Sequence, residues 1–295
     1  MPPRVILLLF LLNLAWALNV VLSKVAVEDL GMPPIFLAAV RSAIVMLALL
    51  PLLRPLPKRL PMVLAVGLAI TGGSFGLLFV GLQTASPSSA GIVSLLGAPA
   101  TVFFAILILG ERIKWFRAGG IALTLVGVAI AVSSPSGMES LDGLGWIALS
   151  ALIGAFGAVF VKRLEIDSIR LQAWAAVASV ILLAPVSAVT ETGQWASLTV
   201  DPLGAAGIFL FASIVVSVGA NTAYFRLFQR YPAEEVVPFT LLHPLFTVIL
   251  GIWLTGDPAG PRLLAGGVIA LLGVAIIVLR PSQAMSKRFL VRPRL

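Results

Sequence analysis

The chain has 295 residues, 60% hydrophobic and 11% charged, with a mean hydropathy of +1.10. A soluble domain of that composition would precipitate, so the chain belongs in lipid; its net charge of +8 reads as membrane topology plus contact with anionic lipid, not as a nucleic-acid surface. Zero cysteines remove disulfides, thiolate metal sites and cysteine nucleophiles, and the single histidine, His243, removes any two-histidine metal centre.

Ten apolar stretches follow one another near 4–27, 33–53, 60–83, 87–109, 116–134, 143–162, 168–189, 202–229, 233–254 and 262–279. Each approaches or exceeds the roughly 20 residues that cross about 30 Å of hydrocarbon. The first carries Asn13, Trp16, Asn19 and Ser23 on one helical face, which either packs against a neighbouring helix or lines a cavity. Its Ala15-Trp16-Ala17 has the look of a signal-peptidase site, but cleavage there would remove part of a repeated unit, and the segment is expected to stay. Lys24 closes this helix.

The second stretch buries Arg41 about 12 Å from its start at 1.5 Å per residue. A guanidinium at that depth either grips a substrate carboxylate or makes a structural bond to carbonyls or the interface. The third is glycine-rich through Thr71-Gly72-Gly73-Ser74-Phe75-Gly76; Phe75 and Phe79 lie one turn apart, facing either a ligand or lipid, and Gln83 ends it. Pro99 interrupts the fourth stretch, and Pro244, preceded by His243, interrupts the ninth. Each proline removes an intrahelical hydrogen bond at membrane depth. Ser213, Ser217, Asn221 and Tyr224 form a second polar stripe in the eighth, while glycines of the fifth and tenth read as packing surfaces. None of the 12 carboxylates falls in a helix centre, which removes a paired-aspartate intramembrane protease.

The chain repeats itself. Gln83, Glu111 and Gly127-Val128-Ala129-Ile130 return as Gln229, Asp257 and Gly273-Val274-Ala275-Ile276, each 146 residues later. With five stretches per half, an odd number, the second half enters the bilayer from the opposite face, the inverted repeat of many secondary transporters. Of the 20 Lys and Arg, 17 fall on one side if both termini are cytoplasmic, with Lys24 and Arg262 opposite and Arg41 within a helix.

Two such halves, each with a proline in its fourth helix, a Gly-acid pair at that helix's end (Gly110-Glu111 and Gly256-Asp257) and a glycine-rich fifth helix, resemble the EamA domain of the drug/metabolite transporter superfamily. The likeness spans residues 4 to 280, with Asp257 departing from Glu at the second acidic position. The Trp16, Asn19 and Lys24 of the first helix are similar to those of YddG-type exporters of aromatic and other neutral amino acids. The resemblance implies an all-α fold of ten transmembrane helices and a central cavity lined by helices one, three, four, six, eight and nine. It also implies export of small metabolites.

The resulting expectations are specific. Residues 4–134 and 143–280 form the two repeats and 281–295 a basic cytoplasmic tail. The substrate site draws on Trp16, Asn19, Arg41, Phe75, Phe79, Gln83, Pro99, Asn221, Tyr224, His243 and Pro244, with Lys24 and Lys162 as gates on opposite sides. The protein exports amino acids or similar metabolites across the cytoplasmic membrane without enzyme activity, cofactor or metal, and its partners are a small-molecule substrate and membrane lipid. A multidrug or nucleotide-sugar carrier is the alternative; an intramembrane enzyme and a membrane scaffold are remoter ones.

Overall fold

A computed structural model describes residues 1–110, 115–134, 140–161, 163–231 and 233–279, and every regular element among them is a helix. Eight apolar helices are long enough to cross a membrane: α1 (Pro3–Glu28), α3 (Leu60–Gly81), α4 (Pro87–Leu109), α5 (Trp115–Val132), α6 (Leu141–Val161), α7 (Ser168–Thr190), α8 (Pro202–Tyr224) and α10 (Pro261–Leu279). Two are shorter, α2 (Pro34–Ala48) and α9 (Pro238–Leu254). All ten expected stretches are thus helical, but α2 stops before 53, where a 3-10 turn at Leu50–Leu53 takes over. The tail 281–295, Lys162 and Glu111 lie outside the described residues.

Following contacts from helix to helix gives a closed ring. α1 packs on α9, α9 on α4, α4 on α6, α6 on α3, α3 on α7, α7 on α2, α2 on α8, and α8 returns to α1. α5 and α10 pair with each other and touch the ring beside α4 and α9. Their pairing depends on glycine, since a Cβ on Gly273 would come within 2.7 Å of the Gly120 carbonyl. Large apolar side chains such as Ile181, Leu203 and Trp253 point outward, as they must where the solvent is hydrocarbon.

Both expected interruptions are present, in a form that keeps the backbone bonded. In α4 the break falls at Leu95 and Leu96, before Pro99; the Leu95 carbonyl, which a residue at 99 would normally engage, accepts instead from the Ala98 N–H at 3.2 Å. In α9 a 3-10 segment, Val237–Leu241, precedes Pro244. Two further irregularities carry no proline: π-helical segments at Ala69–Gly73 in α3 and Phe211–Ala220 in α8. The 146-residue offset carries 69–73 onto 215–219, inside the second of these.

Helix ends at the face where α1 finishes are satisfied by charged side chains from elsewhere in the chain. Glu191, beyond α7, accepts from the Ile35 and Phe36 N–H groups at 2.7 and 2.8 Å and so caps α2. Lys24 donates to the Leu82 carbonyl at the end of α3, at 2.9 Å, and pairs with Glu28. The Gly-acid motif acts the same way. Gly256 takes the left-handed conformation, φ 67°, that ends α9, and this aims Asp257 at the first turn of α4, where it accepts from the Ser88 N–H at 2.7 Å. Gly110 adopts the matching conformation, φ 65°, after α4.

Asp257→Ala leaves the buried Ser88 N–H without an acceptor and is expected to destabilise the protein by about 1–3 kcal/mol, whereas Asp257→Asn, which keeps an acceptor, retains most of the stability. Thermal unfolding of both variants in detergent, with equal melting temperatures as the contrary result, checks this.

Candidate functional site

The ring encloses two adjoining chambers. The larger, about 230 Å³, takes Trp16, Asn19 and Val20 from α1 and Phe75 and Leu78 from α3. Small residues of α4 (Ala90, Gly91 and Ser94) form one wall, and Val216, Asn221 and His243 of α8 and α9 complete it. The smaller, about 30 Å³, lies between α2, α3, α7 and α8, with Arg41, Ser42, Thr71, Gln172, Ser217 and Asn221 as its polar residues. Phe75 and Asn221 line both chambers. α6 contributes no lining side chain, contrary to the expected set, because its glycines press it against α3: a Cβ on Gly157 would come within 2.9 Å of Ala69. α2 and α7 take part instead.

The polar stripes of α1 and α8 face each other and are joined by a hydrogen bond. Trp16 Nε1 donates to Asn221 Oδ1 at 2.9 Å. Tyr224, one turn further along α8, meets the Trp16 ring edge-on at 5.2 Å, and His243 meets it at 6.4 Å. The indole is thereby held from several sides, and its orientation in the chamber is set by α8 and α9 together.

Arg41 organises the smaller chamber. It is 3% exposed, and its Nε and Nη2 donate to Ser217 Oγ at 3.1 and 2.9 Å. The Phe75 ring covers the guanidinium, 3.9 Å from its centroid. Ser213 Oγ donates to the Arg41 carbonyl at 3.2 Å, and the Gln172 amide donates to the Ser217 carbonyl, so α2, α7 and α8 meet on this cluster. The π-helical stretch of α8 supplies both serines, and Ser217 Oγ donates to the carbonyl of Ala212, five residues back. Among the described residues no carboxylate pairs with Arg41. Arginine at a helix centre costs about 2.5–3.5 kcal/mol on membrane-insertion scales, so a cation placed there without a counter-charge is held by function or by this network.

The remaining expected site residues go elsewhere. Phe79 is fully buried in the main apolar core, 6.0 Å from Phe75, and lines neither chamber. Gln83 is exposed in the turn after α3. Pro99 and Pro244 are buried near the helix breaks and shape the backbone without lining a chamber. Lys24 is buried against Leu82 and Glu28. Among the polar lining residues, Gln172, Ser42 and Ser94 were not anticipated. Gln172 had a signal, a long polar side chain five residues into an apolar run; Ser94, among small residues, had none.

Against known proteins, the EamA-like transporter family matches this chain twice, over residues 3–133 and 141–279. The chain belongs to the EamA-like transporter family. It is a multi-pass membrane transporter and not an enzyme. It is 28% identical over 286 residues to a probable amino-acid metabolite efflux pump of Salmonella typhimurium, covering 92% of this chain and 93% of that one. A similar likeness, 27% over 303 residues and 93% and 92% of the two chains, extends to an S-adenosylmethionine/S-adenosylhomocysteine transporter of Chlamydia muridarum. One crystal structure superposes with a TM-score of 0.53 over 96% of this chain and 98% of its own, at 19% identity, which speaks to fold alone.

Ser217→Ala removes the side-chain acceptor of a buried guanidinium. It is expected to destabilise this EamA-family protein by about 1.5–3 kcal/mol, the range for hydrogen bonds to charged groups, while Ser217→Thr keeps the hydroxyl and most of the stability. Unfolding in detergent micelles measures both; identical stability in the two variants would show that Ser217 does not hold Arg41.

Proposed function

We propose that the protein exports amino acids, aromatic or other neutral ones, or similar small metabolites across the cytoplasmic membrane by alternating access. The observation that carries this reading is the larger chamber: about 230 Å³, walled by Trp16, Phe75 and His243, with Asn19 and Asn221 for hydrogen bonding and no carboxylate among its described lining residues. That combination suits a small molecule with an apolar side chain and no net positive charge. Nucleotide sugars and most drugs are disfavoured by size, because sites for drug-sized ligands run to roughly 300–1,000 Å³. The relative named for S-adenosylmethionine favours a sulfonium cargo, but among the described residues neither chamber offers an anionic side chain to receive one.

In this reading the ten helices span the membrane as two inverted repeats, 4–134 and 143–280, with both termini and the basic tail 281–295 in the cytoplasm. Support comes from the Lys and Arg distribution, from the π-helical segments at equivalent positions, and from Gly110 and Gly256 in matching conformations. Lys24 acts at the outer end, where it ties α1 to α3, and Lys162 acts as its inner counterpart.

Counterflow of labelled phenylalanine in proteoliposomes tests the assignment. Trp16→Ala and Asn221→Ala are expected to lower the rate about tenfold or more at equal reconstitution, as the loss of an aromatic wall and its anchoring bond requires; unchanged flux in both removes the chamber from the transport path.

Energy coupling follows from the ionisable groups. Proton-driven carriers hold a titrating side chain at membrane depth, and of the candidates here, Arg41 and His243, arginine does not release its proton. Transport is therefore expected to run down the substrate's own gradient, or to couple weakly through His243. Liposome uptake with and without an imposed pH gradient decides: strong uphill accumulation that survives His243→Gln contradicts the assignment.

A further inference from the structure

The smaller chamber contains an unmatched donor and the larger an unmatched acceptor. Arg41 Nη1 is buried without a hydrogen-bond partner among the described residues, although the same guanidinium uses its Nε and Nη2 on Ser217. Its two N–H bonds are thus uncommitted within a chamber that Arg41 itself lines. Across the join, Asn19 Oδ1 is also buried without a partner among the described residues, in a residue that lines the larger chamber. Asn221 borders both spaces and is fixed by its bond from Trp16. A buried donor or acceptor left unsatisfied is costly, and a buried cation more so, which makes such groups the natural contacts of an absent ligand.

We propose that the two chambers are one binding site for an α-amino acid zwitterion: Arg41 Nη1 takes the carboxylate, Asn19 Oδ1 takes the ammonium group, and the side chain lies in the larger chamber against Trp16 and His243. This rests on the amino-acid reading above and deepens it by stating which end of the substrate is recognised where. The smaller chamber holds only about 30 Å³, and the Phe75 ring lies over the guanidinium at the boundary. A carboxylate reaches Nη1 from the larger chamber when Phe75 turns aside. The ring then serves two states, covering the cation with its π face when the site is empty and yielding to the anion when it is filled. Ser217 and Gln172 keep the guanidinium in place in both. A free carboxylate thus becomes a requirement, and decarboxylated amines and amino-acid amides are rejected.

Ligand-induced thermal stabilisation of the purified full-length protein, using matched acid and amide pairs, tests this. The probes are phenylalanine with phenylalaninamide and 3-phenylpropionate with its amide, each on wild type, Arg41→Gln and Arg41→Lys. In wild type the acid of each pair is expected to bind about tenfold or more tightly than the amide, the effect of a charge-assisted bond. Arg41→Gln is expected to level the acid and amide, and Arg41→Lys to keep part of the preference. Phenylalanine is expected to exceed phenylpropionate in wild type but not in Asn19→Leu. Should the Arg41 variants fail to fold, the wild-type pairs still decide. Equal binding of acid and amide in wild type overturns the carboxylate site and leaves the export reading standing. Acid preference by phenylpropionate with no binding of phenylalanine supports the Arg41 contact and refutes both the ammonium contact and amino-acid export. Failure of every probe overturns site and reading together.

Discussion

Hydrocarbon offers no hydrogen bonds, and every backbone N–H and C=O placed in it must find a partner within the protein. Helices meet this requirement along their length but not at their ends, where four donors or four acceptors stay open. Here side chains distant in sequence close several of those ends: Glu191 on α2, Asp257 on α4 and Lys24 on α3. Each closure also ties two helices of the ring together at one face. The charges so placed therefore hold the helices in the order that creates a central space.

The same constraint governs the irregular backbone. Breaks at membrane depth persist only when the freed groups are bonded again, as the Leu95 carbonyl is by Ala98, or when the break borders a polar space. The π-helical turn of α8 is of the second kind. It carries Ser213 and Ser217, both bonded to Arg41, and it leads into Asn221 at the join of the chambers. Irregular helix geometry, buried cation and cavity coincide, as is common where helices depart from α geometry at functional sites.

Within the cavity, aromatic and amide groups divide the work. Trp16 is a wall whose polar edge is engaged by Asn221 and whose faces and edges meet Tyr224 and His243, so the indole has a set orientation toward a ligand. Phe75 has looser company: it lies 6.0 Å from Phe79, spans both chambers and covers Arg41. Trp16 and Phe75 thus line one small space, the first anchored by a hydrogen bond and the second held by ring contacts alone.

Composition and short-range pattern alone established residence in lipid, the ten apolar helices, the paired Gly-acid motifs and the two polar stripes. Hydropathy and helical period are local properties that survive in any packing. Trp16, Asn19, Asn221 and His243 were legible as lining residues because polar and amphipathic groups in apolar helices are costly unless they face one another or a cavity. Pattern could not place Phe79, Gln83, Pro99 or Pro244, since an apolar, terminal or helix-breaking residue reads the same whether it faces a ligand, the core or the solvent edge. Only the tertiary structure decided that Asp257 reaches Ser88, that Gln172 and Ser217 meet around Arg41, and that α2 and α7 line the smaller chamber while α6 does not. Those pairings join residues up to 176 positions apart, and their reason is the order of helices around the ring, which no local periodicity encodes.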